Sequence, residues 1–196
     1  MSALQPTAPQ QDALREAANI GGGHAASMLA RLVGGLGVMV EVPRIAPASG
    51  GQLIAMCGGA GTRVLGAEFT IEGGLDGKLF WVLPKEDARR LGGRLLRRPT
   101  SDGHLSADET LALAEAANIV ASACLSVLGG LTRLKLAPSP PDLADGDIAT
   151  LLAGDDRKGW ALETRFQSTD APTFGGQLLL LLSHAGVDTL LARMGL

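Results

Sequence analysis

The sequence predicts an α/β fold: one internally duplicated domain whose mainly antiparallel sheet carries two long helices side by side on one face, related by a pseudo-two-fold axis. Three observations predict it. The segment Glu-Ala-Ala-Asn-Ile occurs at 16–20 and again at 115–119, each time inside a stretch of helical periodicity. Positions at both ends of the two halves keep a constant offset of 99 residues: Glu16 with Glu115, Gly77 with Gly176, Leu91 with Leu190. Duplication predicts such an offset and chance composition does not. Between these anchors lie short apolar runs bounded by glycine and proline, the pattern of strands.

The elements follow in order. Residues 1–11 are polar, with Pro6 and Pro9, and are expected to be disordered. Residues 12–33 read as a helix on the apolar positions Leu14, Ala17, Ala18, Met28, Leu29 and Leu32. A strand is expected over 38–45, stopping at its prolines. Further strands are expected over 52–57, 63–72 and 77–83, then a helix from Lys85 to about Arg97 and a turn-rich connector at 99–103. The second half repeats this order: a helix over 108–128 and a strand over 132–136, broken by Pro138, Pro140 and Pro141. Strands over 148–152, 160–168 and 177–183 follow, and a closing helix over 187–193. A small slip inside the repeat sets Phe69 against Phe166. The domain thus spans 12–196, with repeats at 12–98 and 108–196. Each half alone would leave a sheet face bare, so the two must share one core.

Composition narrows the function. Aromatic residues make up 3% of the chain, with no tyrosine, too few to stack nucleic-acid bases. The net charge of −3 supplies no basic footprint for phosphate backbones or anionic lipid. Arg89, Arg90, Arg94, Arg97 and Arg98 cluster, but at the spacing of a solvated helix face. The longest apolar run near the C-terminus, 178–182, is too short to span a bilayer and reads as a buried strand. Cys57 and Cys124 form no CxxC pair, which fits reduced thiols in a cytoplasmic protein. His24, His104 and His184 lack metal-ligand spacing, and no protein-bound metal is expected. Gly21, Gly22 and Gly23 open a formal dinucleotide fingerprint, but they follow a helix where that motif needs a strand. Glycines inside a helix cost about 1 kcal/mol each, so they imply close approach of another backbone, the sheet or a docking partner.

Asp12, Glu16, Asn19 and Gly23 are spaced four, three and four residues apart, which puts them on one ridge of the first helix. Glu115, Asn118 and Ser122 form the same ridge in the second, with Asp108 seven residues before Glu115. One such ridge could be a solvated face. The same Glu-x-x-Asn in both halves argues for chemistry, because a solvated face gives no reason to keep asparagine twice in a helix interior that disfavours it.

After each asparagine the spacing continues. Twenty-two residues separate Asn118 from Pro141, and 23 separate Asn19 from Pro43. Here the chain resembles the CheC/CheX/FliY family of chemotaxis phosphatases, whose motif is Asp/Ser-x3-Glu-x2-Asn with a proline about 22 residues on. Asp12, Glu16, Asn19 and Pro43 match it. Glu115, Asn118 and Pro141 match as well, with Leu111 where the family has Asp or Ser. Two motifs in one chain fit CheC better than CheX, and with its end at Leu196 the chain is expected to lack the C-terminal switch domain of FliY.

The resemblance implies dephosphorylation of a CheY-like response regulator whose phospho-aspartate sits beside a regulator-bound Mg²⁺. On that pattern Asn19 and Asn118 orient water, while Glu16 and Glu115 dock on the regulator's lysine; Asp12, Gly23, Asp108 and Ser122 are expected at the docking edge. The alternative is an adaptor with weak or no catalysis that holds a receiver domain or a CheD-type deamidase. A monomer is expected, since duplication supplies internally the surface that a single-copy relative gains by dimerising.

Overall fold

The computed structural model describes residues 5–100, 103–152 and 158–196. The first half runs α1 (Ala8–Leu32), β1 (Val38–Val40), β2 (Arg44–Pro47), α2 (Gly50–Met56), β3 (Arg63–Glu72), β4 (Gly77–Pro84) and α3 (Lys85–Leu95). The second runs α4 (Ala107–Thr132), β5 (Ala137–Pro138), β6 (Asp142–Asp147), α5 (Ile148–Leu151), β7 (Gly159–Ser168), β8 (Gly175–Ser183) and α6 (His184–Met194). Every strand pairing among the described residues is antiparallel, in the order β1-β7-β8-β4-β3-β5, with β2 also on β7 and β6 also on β3. The order reads the same from either edge once the halves are exchanged, as the pseudo-two-fold axis requires.

The two central strands are buried on both faces. Leu79, Trp81 and Leu83 of β4, with Leu178, Leu180 and Leu182 of β8, face the larger core under α1, α3, α4 and α6. The residues between them, Phe80, Val82, Leu179 and Leu181, face a second core under α2 and α5. This accounts for their continuous apolar runs, which alternation could not produce. Trp81 stacks on Phe166 across the larger core, with ring centroids 6.4 Å apart. Gly73 shows why the β3–β4 turn needs glycine: its φ is +98°, and a Cβ there would overlap the carbonyl oxygen of Lys135.

Both motif helices start on the same local device. Thr7 N donates to Gln10 Oε1 (2.9 Å), and Ser106 N donates to Glu109 Oε2 (2.7 Å), two capping boxes 99 residues apart. The first helix therefore begins at Ala8, so residues 8–11, expected to be disordered, are its first turn, and Pro6 is buried ahead of it. By length and composition α4 is apolar enough to cross a membrane, but its apolar stripe, Leu113, Val120, Leu125 and Leu128, is buried in the larger core.

Several expectations are corrected. The strands expected at 52–57 and 148–152 are helical, as α2 and α5. Their apolar residues recur at i, i+3, i+4 (Leu53, Met56, Cys57; Ile148, Leu151, Leu152), which lets a short helix cover the second core. The strand expected at 132–136 is not formed. The helix α4 runs through Thr132, Arg133 turns the chain in the left-handed region, and only Ala137–Pro138 pair with β3. Asp142–Asp147, to which the sequence assigns no element, is an edge strand on β3. The first edge strand is split around Pro43. Pairing to the central strands sets Phe69 (opposite Leu79) against Thr164 (opposite Leu178), so Phe166 corresponds to Ile71. The arginine cluster is not wholly solvated: Arg89 is buried and bonds Glu86 at 2.8 Å.

Candidate functional site

The two ridges lie on neighbouring helices, because α1 and α4 pack directly against each other. The adjacent glycines serve different neighbours. A Cβ on Gly21 would meet Cys124 Sγ of α4 at 3.0 Å, one on Gly22 would meet Thr164 Cγ2 of β7 at 2.4 Å, and one on Gly23 would meet nothing. Thus Gly21 lets the partner helix approach and Gly22 lets the sheet approach. Gly23 is required by no contact among the described residues.

Glu16, Asn19 and Glu115 are exposed and Asn118 is half-buried; neither asparagine belongs to the core. Among the described residues none of the four side chains has a hydrogen bond or ion pair within the chain. Each pair opens on a cavity that the distant proline closes. Glu16 and Asn19 line about 160 Å³ with Asp12, Arg15, Val42 and Pro43. Glu115 and Asn118 line about 360 Å³ with Leu111, Ala114 and Pro138, Pro140 and Pro141. The long spacing from Asn to Pro in the sequence is therefore a spatial contact around one cavity, made twice.

The residues expected at the docking edge are distributed unevenly. Asp12 lines the first cavity and bonds Arg15 at 2.7 Å. Gly23, Asp108 and Ser122 lie on the ridges but outside both cavity walls, and Asp108 pairs with Arg98 at 3.2 Å. Arg15, Val42 and Ala114 are cavity residues that the sequence reading did not name, and Pro138 and Pro140 are ones it read only as strand breakers. Arg15 and Ala114 sit one residue before each glutamate, and Val42 and Pro140 one before each motif proline, so the aligned repeats held the signal.

A larger cavity of about 490 Å³ lies elsewhere, lined by Cys57, Arg90, Arg165 and Gln177 among others. Its two arginines are already engaged, Arg90 with Asp87 at 2.9 Å. Arg165 donates to the buried Glu163 (2.8 Å) and to the Met56 carbonyl (2.8 Å). Burial, then the Glu163 charge, pushes the Cys57 thiol up to about 12. Groups held in this way are spent on structure, and no motif residue reaches that cavity. Its size does not make it the site.

The motif sites and the doubled fold define a class: two-site α/β domains built by duplication around one antiparallel sheet. Residues 10–46, which span the first motif, match the profile of the CheC-like family. The chain is 36% identical over 141 residues to the CheY-P phosphatase CheC of Bacillus subtilis (strain 168), an alignment covering 69% of this chain and 66% of that one. The chain belongs to the CheC-like family. Two solved structures share the fold. FliY of Thermotoga maritima superposes with a TM-score of 0.73 at 17% identity, covering 98% of each chain. CheX, in a CheX–CheY–BeF3–Mg²⁺ complex from Borrelia burgdorferi, superposes with a TM-score of 0.60 at 14% identity, covering 86% of this chain and 96% of that one.

Proposed function

We propose that this protein is a phosphatase of phosphorylated CheY-like receiver domains, working through Glu16/Asn19 and Glu115/Asn118. The observation that carries it is the doubled Glu–Asn pair, outward-facing and with no side-chain partner among the described residues, each beside a proline-walled cavity. The Bacillus relative bears the name of this activity, and the Borrelia structure contains CheY.

The chemistry suits these side chains. An acyl phosphate is activated, so the catalyst need only hold a water in line with phosphorus. The asparagine amide accepts from that water through its carbonyl oxygen and donates through its NH2, without titrating near neutral pH. Water oxygen bonds to phosphorus as the bond from phosphorus to the aspartyl oxygen breaks, releasing inorganic phosphate and the free carboxylate. The glutamate, one turn before the asparagine, docks on the regulator's lysine and fixes the amide's approach. The regulator supplies its own Mg²⁺, and this chain acts as a cytoplasmic monomer.

The test is phosphate release from phosphorylated CheY-like receiver domains. Activity in the wild type that falls to the regulator's own rate in Asn19→Ala/Asn118→Ala, with the helical circular dichroism kept, supports the reading. Undiminished activity in that double variant refutes the mechanism. Binding of a receiver domain or a CheD-type deamidase without hydrolysis would favour the adaptor reading, which the exposed Leu111 in the second cavity also suits.

A further inference from the structure

Laying one cavity over the other by the repeat offset shows an invariant centre and a changed rim. Glu, Asn and Pro recur in both walls. Around them, Asp12 becomes Leu111, Arg15 becomes Ala114 and Val42 becomes Pro140. The first rim carries an ion pair, Asp12–Arg15 at 2.7 Å, beside an exposed valine, Val42 (78%). The second carries an exposed leucine (73%) beside alanine and proline, and its cavity is more than twice as large. An exposed leucine at a cavity mouth contributes nothing to the fold, since it touches water in the free protein, but it gains on being covered.

Resting on the phosphatase reading, we infer that the two sites select receiver domains by different chemistry, with Leu111 the specificity-determining residue of the second. The second site takes a receiver whose docking face presents an apolar side chain beside its phosphorylated aspartate, seated against Leu111, Ala114 and Pro140. The first takes one that presents charge or hydrogen-bonding groups to Asp12 and Arg15. Charge-based docking weakens as salt screens it, whereas apolar docking does not. One chain thereby serves two receiver surfaces, and the leucine is a change of specificity rather than a defect.

The test uses single-site proteins: Asn118→Ala leaves the first site, and Glu16→Ala/Asn19→Ala leaves the second. Each is assayed on CheY-like receiver domains phosphorylated with acetyl phosphate, and for binding to the same domains loaded with BeF3 and Mg²⁺. In the second-site protein, Leu111→Asp is expected to raise KM and Kd about tenfold or more, with kcat falling far less; Leu111→Met should stay within about threefold. Raising salt from about 0.05 to 0.5 M should raise KM of the first-site protein several-fold more than that of the second. If both single-site proteins hydrolyse the phosphate and Leu111→Asp leaves KM and Kd unchanged, the specificity inference is overturned and the phosphatase reading stands. If neither hydrolyses, the phosphatase reading fails. Binding then decides the inference: a Kd weakened by Leu111→Asp supports docking at Leu111, and an unchanged Kd or no binding overturns it.

Discussion

Phe80 of β4 lies directly opposite Leu179 of β8, the residue 99 positions after it in the chain. Each is the other's repeat equivalent, so the pseudo-two-fold axis passes between them. The neighbouring pairs exchange around it: Leu79 opposes Leu180, and Trp81 opposes Leu178. The halves are thus joined through their innermost strands, and neither half can bury β4 or β8 without the other. The helices obey the same offset, with α3 at Lys85–Leu95 and α6 at His184–Met194.

Phe80 and Leu179 are both fully buried in the second core. Phe80→Ala should cost about 3–5 kcal/mol and Leu179→Ala about 2–5 kcal/mol, read as a lower denaturation midpoint in urea. Met39→Ala, at an exposed edge position, should stay within about 0.5 kcal/mol.

Adjacent glycines should respond oppositely to alanine. Gly22→Ala drives a methyl into Thr164 and should destabilise by about 1–3 kcal/mol, partly rescued by Thr164→Ser, which removes the nearest carbon. Gly23→Ala meets open space and should raise the melting temperature, gaining up to about 1 kcal/mol of helix propensity. Weaker binding of a BeF3-loaded receiver by that more stable variant would show that Gly23 is kept for the partner; unchanged binding would remove it from the docking surface.

Burial raises both thiols from the ordinary 9.0 to about 12, with the Glu163 charge adding to the effect at Cys57. At pH 8 the thiolate fraction is then about 10⁻⁴, so neither cysteine should react with a disulfide reagent until the protein is unfolded. Between pH 9.0 and about 12 an unfolded thiol has lost its proton while the folded one keeps it. The unfolded state binds fewer protons there, so stability should fall as pH rises through that window. Cys124→Ala should reduce the fall, measured as melting temperature against pH.

Single asparagine variants should each retain the other site's activity. Losing one positioned hydrogen-bonding group costs about 10²-fold at its own site, so Asn19→Ala and Asn118→Ala should each leave one site's rate and only the double variant should collapse. Glu16→Ala and Glu115→Ala should act mainly on KM. Steady-state phosphate release under saturating and limiting receiver separates the two effects.

Glu163 supports the first edge of the sheet from inside. It is buried, and it accepts from Arg44 Nε at 2.6 Å on β2 and from Arg165 Nε at 2.8 Å. Removing both arginines leaves that carboxylate uncompensated and should cost about 3–5 kcal/mol, whereas Glu163→Gln leaves two half-exposed cations that water can reach and should cost less. Chemical denaturation of the two variants gives the order.

The sequence alone determined the duplication, the long helices, the strands β3, β4, β7 and β8, and the Glu–Asn ridges. Each rests on a periodicity or an offset that survives without knowledge of neighbours: 3.6 residues for α1, a continuous apolar run for β8, 99 residues between Glu16 and Glu115. Tertiary structure alone decided what is set by contact across the chain. Whether Leu53, Met56 and Cys57 form a helix or a strand depends on the second core they must cover, because so short an apolar run fits either period. Asp142–Asp147 carries no strand pattern and becomes β6 because the edge of β3 offers it hydrogen bonds. Phe69 could be matched to Thr164 only through β4 and β8, since strand pairing and not residue likeness sets the register. Leu111 in place of Asp12 was legible in the aligned repeats, but the walls of the two cavities, with Arg15 and Val42 facing Ala114 and Pro140 across the repeat, emerged only when the prolines came to rest beside their helices.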